Sequence, residues 1–311
     1  MPEPDALPPC PPDNGARLAV AARAASTGWL ASERSPQHCG QAPELGAAYQ
    51  QMFCIANDLK AMVTERNHAL AAVGKAQRRA MRHLVVVAAR REAGGLEHCL
   101  RVGAISALLA RTLGKAAEWC DVLFEAAPAH DIGNIAIPDA ILFRAGRLTE
   151  LEWAVVRDHP LVGANLLADA HNPIQQMAAD IALNHHEKWD GSGYPARRQG
   201  TNIPLAARIV AVADFVDSLS LDNNTRDKLA DETIFTLLRG ASGAQFDPRV
   251  VLAMHAIRPQ LGAIRSLAAA YRLSFPGDGV SQSWWHEIKQ PPHVASRSRA
   301  GVPGTAPAQR S

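Results

Sequence analysis

Between His130 and Tyr194 the chain concentrates side chains that bind transition metals. H-D-I-G-N opens the stretch at His130–Asn134, and H-H-E-K-W-D-G-S-G-Y-P closes it at His185–Pro195. His130, Asp131, His159, His185 and His186 lie inside it, with His98 upstream and Asp214 downstream. Burying imidazoles and carboxylates without partners is costly, and a metal cluster is the simplest arrangement that satisfies all seven. Imidazole and carboxylate without thiolate favour Fe, Mn or Zn over Cu(I) and argue against an all-oxygen Ca or Mg cage. Seven ligands exceed the roughly four to six that one such ion takes. They suit two ions bridged by a carboxylate, and Asp131 is the candidate bridge. Such a pair, with the ions roughly 3.5–4 Å apart, stabilises attack of a bridging hydroxide on phosphorus and the departing oxygen. The implied reaction class is phosphoester hydrolysis.

Not every polar residue nearby belongs to that chemistry. Lone histidines such as His83, His171 and His255 read as surface or internally satisfied groups. Glu187, beside the histidine pair, reads as a solvated or supporting carboxylate. Asp217 reads as an orienting group for Arg208 or for a ligand histidine, because a metal-bound imidazole needs an acceptor for its other ring nitrogen.

Neighbouring helix residues point about 100° apart, so His130 and Asp131 share an ion only where both lean into one cavity. The remaining ligands must then arrive on separate elements. The sequence predicts an all-α fold, since no sustained period-2 alternation occurs. Met52, Ile55, Leu59 and Met62 follow 3-4-3 spacing, and the phase continues through Ala69, Val73, Ala76 and Ala80. This predicts a helical linker over 44–91 able to pair with a second copy in a homodimer. Gly94-Gly95 breaks it. An apolar-periodic helix follows from His98 to Leu113, then one over Ala116–Ile132 carrying His130 and Asp131 near its end. Thr149 and Glu152 form a capping box for a helix that delivers His159. A helix over Pro173–Trp189 carries His185 and His186, and one over Ala206–Ser220 carries Asp214 and Asp217. Weaker helices are predicted over Ala230–Arg239 and Pro248–Ile257. The expected organisation is a disordered leader over 1–43, the linker over 44–91, a catalytic domain over 92–260 and a mostly disordered tail over 261–311. Trp284-Trp285 is the one notable feature of that tail.

The 311 residues suffice for a sizeable core, and 47% hydrophobic with 20% charged residues excludes wholesale disorder. A net charge of +2 argues against a dedicated nucleic-acid binder, so no direct DNA binding is expected. Five cysteines without a C-x-x-C pair read as reduced thiols. No apolar run approaches the roughly 20 residues of a membrane span, and the N-terminus lacks signal-peptide character. A cytoplasmic location is expected.

From about Glu97 to His255 the chain resembles the HD-GYP family, a branch of the HD metal-dependent phosphohydrolases that hydrolyses bacterial cyclic dinucleotides, chiefly cyclic di-GMP. The resemblance rests on His98 with Arg101-Val102, H-D-I-G (130–133), I-P-D-A-I-L (137–142), G-R-L-T-E-L-E-W (146–153), H-P-L-V-G-A (159–164), H-H-E-K-W-D-G-S-G-Y-P (185–195), I-P-L-A-A-R-I-V-A-V-A-D (203–214) and F-D-P (246–248). It covers roughly half the chain, and the H-H-E-x-W-D-G-x-G-Y-P match is highly specific. It implies a helical bundle behind a signalling linker, with signalling proteins as partners. It also implies one ion held by His98, His130, Asp131 and Asp214, and a second held by Asp131, His159, His185 and His186. The two ions would be divalent Fe or Mn. Asp131, Asn134 and Tyr194 are the expected catalytic residues, and Asn134, Gly193, Tyr194, Arg197 and Arg198 the expected substrate contacts. The implied activity opens cyclic di-GMP to linear pGpG and onward to GMP.

Four departures qualify that expectation. Gly94 stands where some members carry a glutamate for a third ion, so a two-metal site follows. Asn134 replaces the lysine of H-D-I-G-K. Losing a charge-assisted contact at a phosphate costs about 2–4 kcal/mol in the transition state, a hundredfold or more in rate. A-R-R-Q-G follows Y-P in place of x-G-L-x-G, with Arg197 or Arg198 as a replacement cation. Asp222-Asn223-Asn224-Thr225 stands where the family has R-P-Y. The alternative these departures favour is an attenuated module that senses a nucleotide or binds a protein partner.

Overall fold

The computed structural model describes residues 42–92, 94–168, 172–221 and 228–271. The leader expected over 1–43 lies almost wholly outside them, as do His171, Asp222–Thr225 and Trp284-Trp285. The described residues are all-α, as expected, with a single isolated bridge between Ser242 and Phe246. They divide into two compact units whose boundary falls between Lys75 and Ala76, inside the first helix.

That helix, α1, spans Ala42–Ala88, so the proline-free run of helix formers does form one element. Up to Lys75 its 3-4-3 residues are open: Met52, Ile55, Leu59 and Met62 are all more than half exposed. From Ala76 on it belongs to the second unit. Met81, Val85, Ala88 and Ala89 join the main core, and Arg82 pairs with Glu125 at 2.8 Å. The linker expected over 44–91 is therefore not a single piece, because its last turns are apolar on the face that meets the core.

The second unit is built around α2 (Gly95–Thr112). Thirteen consecutive residues, His98 to Ala110, are buried, as expected of a helix that is apolar on all sides. Around it pack α3 (Ala117–Ala126), α8 (Leu205–Leu219), α10 (Pro248–Ile257) and α11 (Leu261–Tyr271). The short α4 (Asp139–Leu142), α5 (Glu150–Arg157), α6 (His159–Leu167) and α7 (Pro173–Asn184) form the side that carries the histidine motifs, and α9 (Asp231–Gly240) packs on α8. Thr149 caps α5 with the predicted capping box: its hydroxyl accepts from the Glu152 amide at 3.3 Å, and Glu152 accepts from the Thr149 amide at 2.8 Å.

Three expectations change. The helix predicted over Ala116–Ile132 ends at Ala126, and a 3-10 turn over Ala127–Ala129, with Pro128 in it, leaves His130 and Asp131 in a turn. The helix predicted to reach Trp189 stops at Asn184, with His185 as its C-cap. The tail does not begin at residue 261: Leu261, Ile264 and Ala268 of α11 are buried in the core. Their 3-4 spacing marks an amphipathic helix that the Pro- and Gly-rich stretch beyond it obscured.

Candidate metal centre

The ligand candidates arrive on several separate elements, and in His98, His130, His159 and His185 the Nδ1 nitrogen is already satisfied. His98 sits in the first turn of α2, and its Nδ1 meets Asp217 Oδ2 of α8 at 2.7 Å. Asp217 in turn accepts from Arg101 Nε at 2.7 Å, so the orienting role expected of Asp217 falls on a histidine. Arg208, the other partner considered, binds Asp247 at 2.6 Å. His130 Nδ1 donates to the Ala127 carbonyl at 3.1 Å, and His159 Nδ1 to the Val156 carbonyl at 2.6 Å. His185 Nδ1 donates to the Ile181 and Ala182 carbonyls at 3.1 and 3.0 Å. With Nδ1 spent on an acceptor, Nε2 is left as the lone-pair nitrogen and points inward.

Those nitrogens converge. His159 and His185 Nε2 lie 3.2 and 3.1 Å from Asp131 Oδ1 and 3.5 Å from each other. Ligand atoms of Asp131, His159, His185 and His186 all fall within 4.8 Å of one another. On the other side, Asp214 Oδ1 is 3.4 Å from His98 Nε2 and 3.9 Å from His130 Nε2, and His130 Nε2 is 3.9 Å from Asp131 Oδ2. All seven residues singled out in the sequence thus meet in one pocket, with Asp131 between the two groups.

One further carboxylate joins them. Glu92 Oε2 is 3.9 Å from His98 Nε2, and Glu92, His98 and His130 form a second group with ligand atoms within 4.8 Å. Gly94, one helical turn ahead of His98, offers no ligand. Yet α2 begins at Gly95, and Gly94 and Gly95 hold positive φ of 91° and 58°. The chain turns there, so a residue six positions upstream reaches the pocket. An acid just before a Gly-Gly break was the available signal.

The electrostatics are those of a cluster whose acids and imidazoles act on one another. Burial pushes the Asp131 carboxyl up, but His130, His159 and His185 outweigh it and hold it well below the usual carboxylate range. Burial likewise opposes Asp214, and His98 and His130 hold it low. Glu92 is pushed up to about 8, first by burial and then by Asp131. Buried and without hydrogen-bond partners are His130 Nε2 and Glu92 Oε1. An imidazole nitrogen and a carboxylate oxygen left bare in the interior are costly unless a cation meets them, and the donor set suits a hard-to-borderline divalent ion.

The rim is formed by the segment after the histidine pair. Gly193 folds back so tightly that a Cβ there would lie 2.3 Å from the Lys188 amide nitrogen. Tyr194 stacks on His186, centroids 4.8 Å apart and planes 22° apart. Burial and then Asp131 raise the Tyr194 phenol, which keeps it a proton donor. Glu187 is buried, not solvated: it accepts from the amides of Ala196 at 2.7 Å and Arg198 at 3.0 Å and so shapes this loop. The Arg198 guanidinium reaches the Asn202 carbonyl at 3.4 Å, and Arg197 is exposed with φ 53°. Asn134 is buried in the 3-10 turn Ile132–Ala136 directly after Asp131. Gly133 lets that turn press on α6, since a Cβ would fall 1.9 Å from the His159 carbonyl oxygen.

Residues 52–250 match the family model described as HD domain. The chain belongs to the HD domain family. Within that HD domain the H-D pair is His130-Asp131, and the HD-GYP resemblance read from the motifs is borne out by the curated relatives. One is the 3'3'-cGAMP-specific phosphodiesterase 2 of Vibrio cholerae, 41% identical over 166 residues, 53% of this chain and 31% of that protein. Another is the cyclic di-GMP phosphodiesterase response regulator RpfG of Xanthomonas campestris, 41% identical over 174 residues, 56% of this chain and 46% of that protein. A third is a cyclic di-GMP phosphodiesterase of Thermotoga maritima, 39% identical over 154 residues, 50% of this chain and 42% of that protein. The chain thus spans less than half the length of these relatives. No helix among the described residues is long and apolar enough to cross a membrane.

Proposed function

We propose that this HD domain protein is a metal-dependent phosphodiesterase that opens cyclic di-GMP, or a related cyclic dinucleotide, to a linear dinucleotide such as pGpG and onward to the mononucleotide. The observation that carries the reading is the convergence of inward-facing Nε2 nitrogens on Asp131 Oδ1, at 3.1 and 3.2 Å, beside the orphaned His130 Nε2 and Glu92 Oε1. His98, His130, Asp131 and Asp214 would hold one divalent ion, and Asp131, His159, His185 and His186 another, with Fe or Mn the preferred metals. Glu92 would add a carboxylate beside His98 and His130. Ions bound there would supply an activated water and neutralise charge building on phosphorus and the leaving oxygen.

The remaining steps belong to the chain itself. Asp131 spans both groups and fixes their separation. Tyr194, held against His186 and protonated, offers a hydrogen bond at the rim, and Gly193 lets the backbone come close. Asn134 offers an uncharged donor to a phosphate oxygen, and Arg197 and Arg198 are nearby cations for the second phosphate. Purified full chain with Mn2+ or Fe2+ is expected to consume cyclic di-GMP and 3'3'-cGAMP at measurable rates in a chromatographic assay. No turnover of either by the metal-loaded protein would reject the reading.

Asn134 favours a second reading, an attenuated enzyme that serves as a nucleotide-sensing or protein-interaction component. Asn134→Lys separates the two: a rate gain of tenfold or more, on the order of a charge-assisted contact, would mark the native enzyme as attenuated. The open 3-4-3 residues Met52, Ile55, Leu59 and Met62 support a homodimer through α1 and a place for signalling partners. Cys54, Cys99 and Cys120, which form no disulfide among the described residues, support the cytoplasm as its location.

A further inference from the structure

The 3-10 turn that carries Asn134 is held from two sides. On one, Gly133 lies against the His159 backbone, so the turn rests on a ligand-bearing residue. On the other is Arg91, at the end of the 3-10 turn Ala89–Arg91 that closes α1. Its Nε donates to the Asn134 carbonyl at 2.9 Å and its Nη2 to the Ile137 carbonyl. Its Nη1 donates to Asp139 Oδ1 at 2.7 Å, and its Cζ lies 5.7 Å from the Phe143 ring centroid. Every one of these contacts falls within residues 134–143.

Such a fork caps the carbonyl end of the Ile132–Ala136 turn, where a cation is favoured, and adds to the bond that the Asn134 carbonyl accepts from the Ile137 amide at 3.1 Å. Two carbonyls and a carboxylate, each met by a different nitrogen of Arg91, suit a guanidinium; an ammonium on a flexible stem cannot meet all three. Asp139 is three-quarters exposed on its side chain, so that ion pair adds little, and the two carbonyl contacts carry the hold. We infer that Arg91 is a positioning residue that fixes the Asn134 turn, and through it the phosphate-facing edge of the metal centre, from the end of α1. The inference rests on the metal-dependent reading above but not on the identity of the substrate.

The test uses the full chain loaded with Mn2+ and inorganic phosphate as the probe, measured by calorimetry. Arg91→Ala weakens phosphate binding by roughly five- to thirtyfold, while bound Mn2+ stays at the parent level. In an Asn134→Ala background the same substitution changes binding by no more than about twofold, because the group it positions is gone. Asp139→Asn stays within about twofold of the parent. Equal losses in the two backgrounds, or loss of Mn2+ in step with phosphate, would overturn the inference. If Arg91→Ala does not fold, Arg91→Lys carries the same cycle, with the same outcomes deciding. Phosphate binding without turnover of any cyclic dinucleotide removes only the substrate assignment. A Mn2+-loaded parent that binds no phosphate removes both.

Discussion

The two sides of the metal centre orient their histidines by different means. On the side of His159 and His185, each Nδ1 is tied to a main-chain carbonyl of its own helix or of the residue one turn before it. On the side of His98, the tie is a side chain from another helix: Asp217 of α8, itself held by Arg101. Asp214 depends on a neighbour as well, accepting from Ser218 Oγ at 2.8 Å. A main-chain anchor cannot be removed by substitution and moves only with its helix. A carboxylate anchor can be deleted, and burial, which lowers the His98 imidazole, is outweighed by Asp214 and then Asp217, which together raise it well above its usual range. The first side is preset by backbone; the second is mixed, with His130 Nδ1 tied to the Ala127 carbonyl at 3.1 Å while His98 and Asp214 are held by side chains.

This difference orders the expected effects of substitution. Asp131 belongs to both sides, and Asp131→Ala should lower turnover of cyclic di-GMP by on the order of a thousandfold or more, with ion loss from both groups in a metal analysis. Loss of only one ion would show that Asp131 does not bridge. Asp217→Asn should weaken metal binding by about ten- to a hundredfold on the His98 side alone, leaving the His159 side loaded. Equal weakening on both sides would erase the distinction. Glu92→Gln tests whether the newly found carboxylate belongs with His98, and a drop of about tenfold in affinity of that same ion is expected by titration. Ser218→Ala, which removes one hydrogen bond to Asp214, should cost about 1 kcal/mol in binding that ion, roughly fivefold.

Much of the site was readable because its ligands are motif-dense and chemically costly to bury alone. His130-Asp131, His159 and His185-His186 stand in sequence order, and the pairing of Asp217 with a ligand histidine follows from the chemistry of imidazole. Thr149 and Glu152 announce their cap because both halves of it lie within one turn of chain. Glu92 and Arg91 were not read in their roles, and Glu187 was read only as solvated or supporting. Glu92 acts across a glycine turn that helical spacing does not describe, and Glu187 and Arg91 act on main-chain amides and carbonyls, which carry no residue identity.

Sequence alone determined the helical class and pointed to seven of the candidate ligands, since both depend on residue type and local period. Tertiary structure decided that His130 and Asp131 sit in a turn, that Glu92 enters the pocket and that α11 completes the core. It also decided which carbonyl or carboxylate holds each imidazole. Those outcomes depend on which backbones approach within hydrogen-bonding distance, a property of packed elements that no stretch of residues specifies by itself.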